Sequence, residues 1–259
     1  MPLYYRRNPW ADASVFTDNF NSGIDTTNNW IVSSYNGSVT SQPPLFPDFT
    51  SACARLSCAY TVPFDNAARV SAELKKTGFN SSVFSTSNSY RVEVKMRLET
   101  LINNTVSNAA SIAGLNIKDS FNGQNNFVTN VGYKVGFLRI SGVYKLCFIS
   151  RISGFSPIGT VYELQNVNLN QWYSVRIDLF QNATTDTVRV YIENDLNTNN
   201  WSLLTEKQYS TGNIEKATGN STFLSNIGQY VTTNPAQSTA CFDDFKIYIM
   251  PSPISVPSP

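Results

Sequence analysis

The sequence predicts an all-β protein, folded as an antiparallel β-sandwich or barrel with very little helix. Apolar and polar residues alternate with a period of two along many segments, which places the apolar side chains on one face of a strand. Clusters of Gly, Asn, Asp and Ser separate these segments, as is typical of turns between strands. No segment has convincing helical spacing. The chain also lacks the alternation of strands and helices that is typical of a parallel sheet.

The individual elements follow from this alternation. Residues 68–78, ARVSAELKKTG, are the best helix candidate, although their alternating apolar residues fit a strand at least as well. The clearest strand is SYRVEVKMRLE, with one apolar face formed by Tyr90, Val92, Val94, Met96 and Leu98. Further strands are predicted in GYKVGFLRIS, VYKLCFIS, WYSVRIDLF, TVRVYIEN and FDDFKIYIM, and we expect about a dozen in all.

The chain divides into one sandwich and two arms. No change of composition interrupts residues 12–250, which we expect to form a single domain. Residues 1–11 carry aromatic anchors, and residues 251–259, PSPISVPSP, favour an extended arm because proline cannot extend a sheet. The arms and the stiff apolar loop at residues 42–49 are predicted to make assembly contacts through Tyr4, Tyr5, Trp10, Phe46 and Pro251. The alternative is that they pack on their own domain.

Composition argues against several function classes. Charged residues make up 14% of the 259 residues, against a typical value of about 25%, whereas Asn, Ser and Thr together form roughly a third. A net charge of +1 gives no basic surface for nucleic acid, and no stretch approaches the roughly 18 apolar residues of a membrane span. Because the chain has no histidine, His-dependent nucleophiles, bases and metal sites are excluded.

The cysteines and the first residues bear on the cellular compartment. Cys147 and Cys241 lie in apolar strand segments where free thiols are common. Cys53 and Cys58 are expected to be free as well, with a hairpin disulfide between them as the alternative. The segment MPLYYRRNPWADASVF lacks an apolar run, so we expect no secretory signal and synthesis in a cytoplasm.

Three segments of the chain carry a family resemblance. VFTDNFNSGIDTTNNWIV opens with a strand and reaches Trp30, NLNQWYSVRIDLFQNATTDTVRVYIENDLNTNNW forms a long hairpin, and ACFDDFKIYIM is the last strand. Together they resemble the first strand, central hairpin and last strand of the concanavalin A-like lectin and glucanase superfamily, in its laminin-G-like form. The resemblance implies an antiparallel jelly-roll β-sandwich of the concanavalin A-like type, in which the last strand returns beside the first.

The family includes hydrolases and lyases, but the chain departs from their catalytic motifs. Members with two carboxylates use Glu-x-Asp-x-x-Glu on one strand, whereas Glu93 and Glu99 alternate with Lys95 and Arg97 and indicate a solvated face. Members similar to alginate lyases use Arg-Ser-Glu-Leu-Arg and a histidine. Residues 71–75, SAELK, match the first motif out of register, and the histidine is missing. We therefore expect a protein that is not an enzyme.

The resemblance also implies two kinds of binding site. Lectin members hold sugars with Asp, Asn and an aromatic ring, and the asparagine-rich loops suggest Phe127, Asn126, Asn130, Asp195 and Trp201 for this role. Ordinary turns and a cap on the sandwich are the alternative. Many members bind calcium where the first and last strands meet, for which Asp18 and Asp243 are the candidate ligands, beside Asp244. No other cofactor is expected.

Three functions are compatible with these features. The leading hypothesis is a non-enzymatic structural protein of a virus particle, such as a bacteriophage capsid decoration, fibre, tail or baseplate component. It would be located in the virion, with other virion proteins or further copies of itself as partners, and with no nucleic acid or membrane partner. The second is a lectin or adhesin that recognises a host or environmental glycan. The third is a divergent glycan-cleaving enzyme, for which the sequence nominates no pair of carboxylates.

Overall fold

The described part of the protein consists of strands and their connections. The structure is a computed structural model and describes residues 14, 16–21, 27, 29–36, 46–48, 53–60, 67–74, 89–102, 112–119, 132–151, 160–182, 184–210, 221–229 and 236–250. Within these ranges every regular element is a β-strand. Among the same residues there is no helix whose length and apolar character would let it cross a bilayer.

The strands form two antiparallel sheets. Their bounds are β1 (Phe16–Asp18), β2 (Trp30–Asn36), β3 (Phe46–Asp48), β4 (Ala54–Tyr60), β5 (Ala67–Leu74), β6 (Ser89–Ile102), β7 (Ile112–Asp119), β8 (Gly132–Ile140), β9 (Val143–Arg151), β10 (Thr160–Asn166), β11 (Trp172–Gln181), β12 (Thr185–Glu193), β13 (Trp201–Ser210), β14 (Ser221–Gln229) and β15 (Ala236–Met250). The eight-stranded sheet has the order β13-β12-β11-β6-β15-β4-β3, with β1 also paired to β15. The seven-stranded sheet has the order β10-β9-β8-β7-β14-β5-β2.

The first and last described strands lie side by side. Phe16 pairs with Ile247 and Asp18 pairs with Phe245, so β1 runs antiparallel to the second half of β15. The first half of β15 pairs with β4 on the same side, while β6 pairs along the other side. The predicted all-β jelly-roll sandwich with antiparallel sheets is therefore confirmed.

The core lies between the two sheets and is formed by the faces that the alternation predicted. On β6 the side chains from Tyr90 to Leu98 are alternately buried in the core and turned outward. On β11 and β12 the same holds for the apolar residues around Val175 and Val190. Because inward and outward residues alternate, the polar residues of these strands must share the outer face of the eight-stranded sheet.

Two open alternatives are resolved by the structure. The segment at residues 68–78 is not a helix, because β5 occupies its first part and pairs with β14 and β2. Cys53, Cys147 and Cys241 are buried free thiols, whereas the side chain of Cys58 lies outside the described residues.

The predicted arms and most of the predicted assembly contacts cannot be placed. Residues 1–11 and 251–259 lie outside the described residues, with Tyr4, Tyr5, Trp10 and Pro251 among them. Part of the predicted loop at residues 42–49 is the short strand β3, in which Phe46 pairs with Ser57, although the Phe46 side chain is not described. The arms therefore stay a prediction.

Candidate functional site

A polar pocket of about 180 Å³ opens on the outer face of the eight-stranded sheet. Four strands supply its charged and hydroxyl side chains, which are Glu93, Lys95, Ser174, Glu193, Asp244 and Lys246. These residues project away from the core because their strand neighbours, such as Val92 and Val175, project into it. The connection between β12 and β13 forms the remaining wall.

Strand register explains why these side chains meet. Trp201 on β13 pairs with Glu193 on β12, and on the inner strands Ser174 pairs with Lys95. Lys95 in turn pairs with Asp243 on β15. Residues paired across neighbouring strands project on the same side, so this row of polar groups crosses five strands on one face. Rigid strands thus position the floor of the pocket.

The loop between β12 and β13 is held in shape by its own hydrogen bonds. The Asn194 amide donates to the Asn200 carbonyl at 2.9 Å, and the Thr198 hydroxyl donates to the Asp195 carbonyl at 2.6 Å. Asn197 and Asn199 have positive φ angles of 68° and 57°, which asparagine tolerates better than most residues. Both asparagines line the pocket. The wall is therefore formed before any ligand arrives.

Glu193 connects this loop to the pocket floor. The Asn199 backbone amide donates to Glu193 Oε1 at 2.7 Å, and the residue is 9% exposed. Burial raises the pKa of this carboxyl, but the Ser174 hydroxyl and the backbone amides of residues 197–199 outweigh it, so the net pKa is lowered. The Glu193 side chain is consequently a persistent anion at neutral pH.

Glu93 has the opposite electrostatic character. Burial between β11 and β15 raises its pKa, although Arg91, Arg176 and a hydrogen bond from Tyr248 act against this effect. The Tyr248 hydroxyl donates to Glu93 Oε2 at 3.2 Å. One pocket therefore holds two carboxyl groups whose pKa values are displaced in opposite directions.

A β-bulge in β15 forms the opposite wall. The register with β6 shifts between Asp243 and Lys246, and Asp244 adopts a positive φ of 47°. Asp243 Oδ1 accepts a hydrogen bond from the Asp244 amide at 2.7 Å, which holds this turn of the chain. Asp244 then reaches Lys95, with 2.5 Å between Nζ and Oδ2. The bulge thus aims a carboxylate along the sheet into the pocket.

Trp201 supplies the aromatic surface of the site. Its indole is half-buried at the start of β13, with the Arg176 guanidinium 5.7 Å from the ring centroid. The same guanidinium lies 4.3 Å from the Tyr191 ring centroid, so it is held by aromatic faces on two sides. The ring of Trp201 is therefore fixed beside the carboxylates and amides.

The structure places the predicted sugar-binding residues unequally. Trp201 lines the pocket, and its role in sugar binding stays a prediction. Asp195 lies in the same loop and is exposed, but it does not line the pocket. Phe127, Asn126 and Asn130 lie outside the described residues.

The predicted calcium ligands lie near the junction of β1 and β15 without forming a ligand set. Asp18 Oδ1 accepts a hydrogen bond from the Phe20 amide at 2.8 Å, and Asp18 Oδ2 accepts one from Trp30 Nε1 at 2.7 Å. Burial raises the pKa of Asp243, and the Asp18 carboxylate contributes to that rise. Calcium needs six to eight oxygen ligands, and within the described residues no group of three acidic or thiol side chains is placed to hold a metal. Calcium binding remains a prediction without a fitted site.

Sequence reasoning missed the charged residues of the pocket. Glu93 and Lys95 were expected on a solvated strand face, and Glu93 is instead half-buried. Glu193 lies on the outward, polar face of β12. Asp244 reaches the pocket because of a β-bulge that the local sequence pattern does not predict. The alternation placed these residues on the outward face of their strands. Their proximity depends on how the strands pair with one another, which the local sequence does not show.

Comparison with known proteins supports the fold class alone. No protein-family model matches the sequence, and no curated protein is significantly similar to it. Among solved structures, an alginate lyase from Klebsiella pneumoniae is similar, with a TM-score of 0.53 and 9% identity over 90% of this chain and 99% of that one. The alginate lyase AlyA1 from Zobellia galactanivorans is also similar, with a TM-score of 0.51 and 13% sequence identity over 89% of this chain and 98% of the lyase.

A third similar structure is an engineered GH43 glycoside hydrolase with endo-xylanase and exo-arabinofuranosidase activity. Its TM-score is 0.55 at 14% identity, over 92% of this chain and 41% of the hydrolase, so this chain spans less than half of its length. The neighbours are concanavalin A-like jelly-roll proteins, as the resemblance of the three segments implied.

The comparisons correct the leading functional hypothesis. The expected structural role in a virus particle is contradicted, because the three similar structures described above are glycan-cleaving enzymes. The bacteriophage origin has no support either. Many neighbours are enzymes at low identity, which neither confirms nor contradicts the expectation that this chain is not one.

Proposed function

We propose that the protein binds a carbohydrate in the pocket on the outer face of the eight-stranded sheet. The observation that carries this proposal is the placement of the Trp201 indole beside Glu193, Asn197 and Asn199. Sugar hydroxyls need hydrogen-bond acceptors and donors, whereas the C–H faces of a sugar ring pack on an aromatic ring. The pocket offers both in one preformed cleft.

The size of the pocket supports a small ligand. Pockets for drug-sized molecules have volumes of about 300–1,000 Å³, so a pocket of about 180 Å³ suits a single sugar residue, either free or within a longer chain. The pocket is open to one side, which leaves room for the neighbouring residues of an oligosaccharide. A preformed loop lowers the entropic cost of binding, because fewer groups are ordered when the ligand arrives.

The named activities of the structural neighbours are consistent with this proposal. The similar structures include alginate lyases and a glycoside hydrolase with endo-xylanase activity, all of which act on polysaccharides. Since these likenesses reflect the fold, the proposal depends on the pocket of this chain rather than on the neighbours' chemistry.

The decisive test is a glycan array followed by calorimetry on Trp201→Ala. Removing the indole should weaken the binding of the best sugar at least tenfold, because the stacking surface is lost. Trp172→Ala is the matched control, since Trp172 lies on the same sheet face, stacked with Arg97 at 4.8 Å, but does not line the pocket. Equal losses in both variants, or no sugar bound by the wild type, would refute the proposal.

The same samples test whether binding is accompanied by cleavage. We propose binding alone, and incubation with the bound oligosaccharide should release no new reducing ends. Release that disappears in both Glu93→Gln and Glu193→Gln would instead identify the two glutamates as an acid and base pair, because carboxyl groups with oppositely displaced pKa values are suited to those roles.

A further inference from the structure

Two of the buried thiols meet on the outer face of the eight-stranded sheet. Phe242 on β15 pairs with Ala54 on β4, and both of these residues belong to the core. Cys241 directly precedes Phe242, and Cys53 directly precedes Ala54. Because neighbouring residues of a strand project to opposite faces, both thiols point away from the core and lie diagonally across the strand pair.

The two thiols interact with each other. Burial raises the pKa of the Cys241 thiol, and hydrogen bonds with Glu99 and Cys53 raise it further. Arg97 acts on this pKa in the opposite direction. Cys53 is therefore a hydrogen-bond partner of Cys241, and both are free cysteines. A contact between two thiols is the arrangement from which a disulfide forms once the sulfur atoms approach to bonding distance.

Three charged side chains cover the Cys241 thiol. Arg55 and Arg97 are its paired residues on the two flanking strands, and Glu99 Oε1 accepts a hydrogen bond from the thiol at 3.1 Å. Arg55 Nε donates to Glu99 Oε2 at 2.8 Å, while Arg97 Nη2 lies 3.4 Å from the Cys241 sulfur. The carboxylate is thus in place to accept the thiol proton, and the guanidinium is in place to stabilise the thiolate.

Cys53 is the thiol that an oxidant reaches first. The exposed fraction of Cys53 is 4%, whereas Cys241 is fully buried. Cys53 lies at a bend immediately before β4, and the pairing with β15 extends only to Ala54. Cys53 can therefore move towards solvent or towards Cys241 without breaking the hydrogen bonds of the strand pair. Because both thiols are shielded, we expect the reaction to be slow.

We propose that Cys53 and Cys241 form a reversible disulfide when the protein meets hydrogen peroxide. The Cys53 sulfur attacks one peroxide oxygen, the O–O bond breaks, and Cys53 becomes a sulfenic acid with release of one water. The Cys241 sulfur then attacks the sulfenic sulfur, and the S–O bond breaks. The Cys241 proton passes through Glu99 to the departing hydroxide, which leaves as a second water. Two thiols are thus oxidised to a disulfide while one peroxide is reduced to two waters.

Peptide mapping of the full chain tests the proposal. The reduced protein is incubated with hydrogen peroxide, alkylated and digested. We expect the intact mass to fall by two hydrogen atoms, a peptide that joins Cys53 to Cys241, and recovery of both thiols with dithiothreitol. The oxidised protein should unfold at a temperature higher by about 5 °C or more, because closing a long loop restricts the unfolded chain. Neither cysteine lines the pocket, so the result is independent of sugar binding.

Serine variants show whether these two thiols are responsible. Cys53→Ser and Cys241→Ser should each abolish the joined peptide. Cys147→Ser is the control, since Cys147 is a buried free thiol on β9 of the other sheet, and this variant should oxidise as the wild type does. A link from Cys53 to Cys58, disulfides only between molecules, or unchanged thiols after prolonged exposure would each overturn the proposal. The map of the wild type decides the question even if a serine variant fails to fold.

Discussion

Asp178 shows how single residues stabilise the face that carries the pocket. It lies on the outer face of β11 but is only 1% exposed, because Arg91 and Arg176 close over it from both sides. Both guanidinium groups bind both oxygens of the carboxylate. Burial raises the pKa of Asp178, but the hydrogen bonds from the two arginines outweigh it, and the net pKa is lowered.

Replacing this residue should therefore be costly. Asp178→Asn leaves two arginines facing each other without a counter-charge, and we expect a loss of about 3 to 5 kcal/mol in the free energy of unfolding. The control is Glu206→Gln, because Glu206 forms a salt bridge with Arg189 in which both side chains are 39% exposed. This substitution should lower the free energy of unfolding by at most about 1 kcal/mol. Urea denaturation of both variants measures the difference, and similar losses would contradict this account.

The contribution of Asp178 should also depend on pH. A carboxyl group whose pKa is lower in the folded than in the unfolded state stabilises the fold above the unfolded value of about 3.8. That contribution is lost as the pH falls through the lower folded value. The stability gap between the wild type and Asp178→Asn should thus be full at pH 7 and should narrow below pH 4. Denaturation series across this range provide the check, and a constant gap would argue against the charge interaction.

At the residue scale, the sequence could predict the type of a site residue better than its partners. Trp201 was recognised from an asparagine-rich loop, and the structure places it in the pocket. Glu93 was assigned to a solvated face because alternation with Lys95 is all that the sequence shows. Its burial comes from Arg176 and Tyr248, which are 83 and 155 positions away in the sequence. Such distant partners leave no local signal.

At the scale of elements, the seven-stranded sheet depends on a close approach between β7 and β8. Gly114 on β7 pairs with Gly136 on β8. A Cβ atom added at Gly114 would lie 2.2 Å from the Val135 carbonyl oxygen and 2.6 Å from Gly136 Cα. Both of these are backbone atoms, so neither can turn away as a side chain would.

Gly114→Ala should consequently disturb the pairing of these two strands. We expect a loss of about 3 kcal/mol or more, since the backbones must move apart to admit the methyl group. Gly142→Ala is the control: Gly142 has a φ of 84° with open space around it, and it should cost about 1 kcal/mol through its backbone conformation alone. Thermal unfolding of the two variants compares them, and an equal or smaller loss at Gly114 would contradict the close approach.

The positions of the strands were easier to predict from the sequence than the burial of their faces. The alternation in β6, β11 and β12 gave both the strands and their buried faces, because each has one face in the core and one outward. The sequence also predicted β8 as a strand, but it did not predict that the residues from Gly132 to Leu138 are all buried, on both faces of the strand. At residues 68–78 the pattern suited two kinds of structure, and pairing with β14 on one side and β2 on the other decided the outcome.

At the scale of the whole molecule, Trp30 joins the two sheets near the junction of β1 and β15. Trp30 belongs to β2 of the seven-stranded sheet and is fully buried. Its ring centroid lies 5.4 Å from that of Phe245 and 5.9 Å from that of Phe16, both on strands of the other sheet. The hydrogen bond from Trp30 Nε1 to Asp18 adds a polar link across the same gap. Trp30 therefore contacts both β1 and β15 of the other sheet.

The fold as a whole was predictable because one pattern repeats along the chain, whereas the function was not. The alternation predicted an antiparallel sandwich or barrel, and the resemblance of three segments to the concanavalin A-like superfamily implied the jelly-roll topology. A site on that fold depends on which outward side chains the register brings together, and no fold-level likeness supplies this information. The proposed role therefore rests on the row of residues from Trp201 to Lys95 across four neighbouring strands.

Hydrogen–deuterium exchange with and without the best-binding oligosaccharide tests this role most directly, because it locates the ligand on the molecule. We predict slower exchange in the loop at residues 194–200 and in the β15 bulge at residues 243–246, which form the two walls of the pocket. Protection confined to strands of the seven-stranded sheet, such as β8 and β9, would contradict the account and place the sugar on the opposite side of the protein.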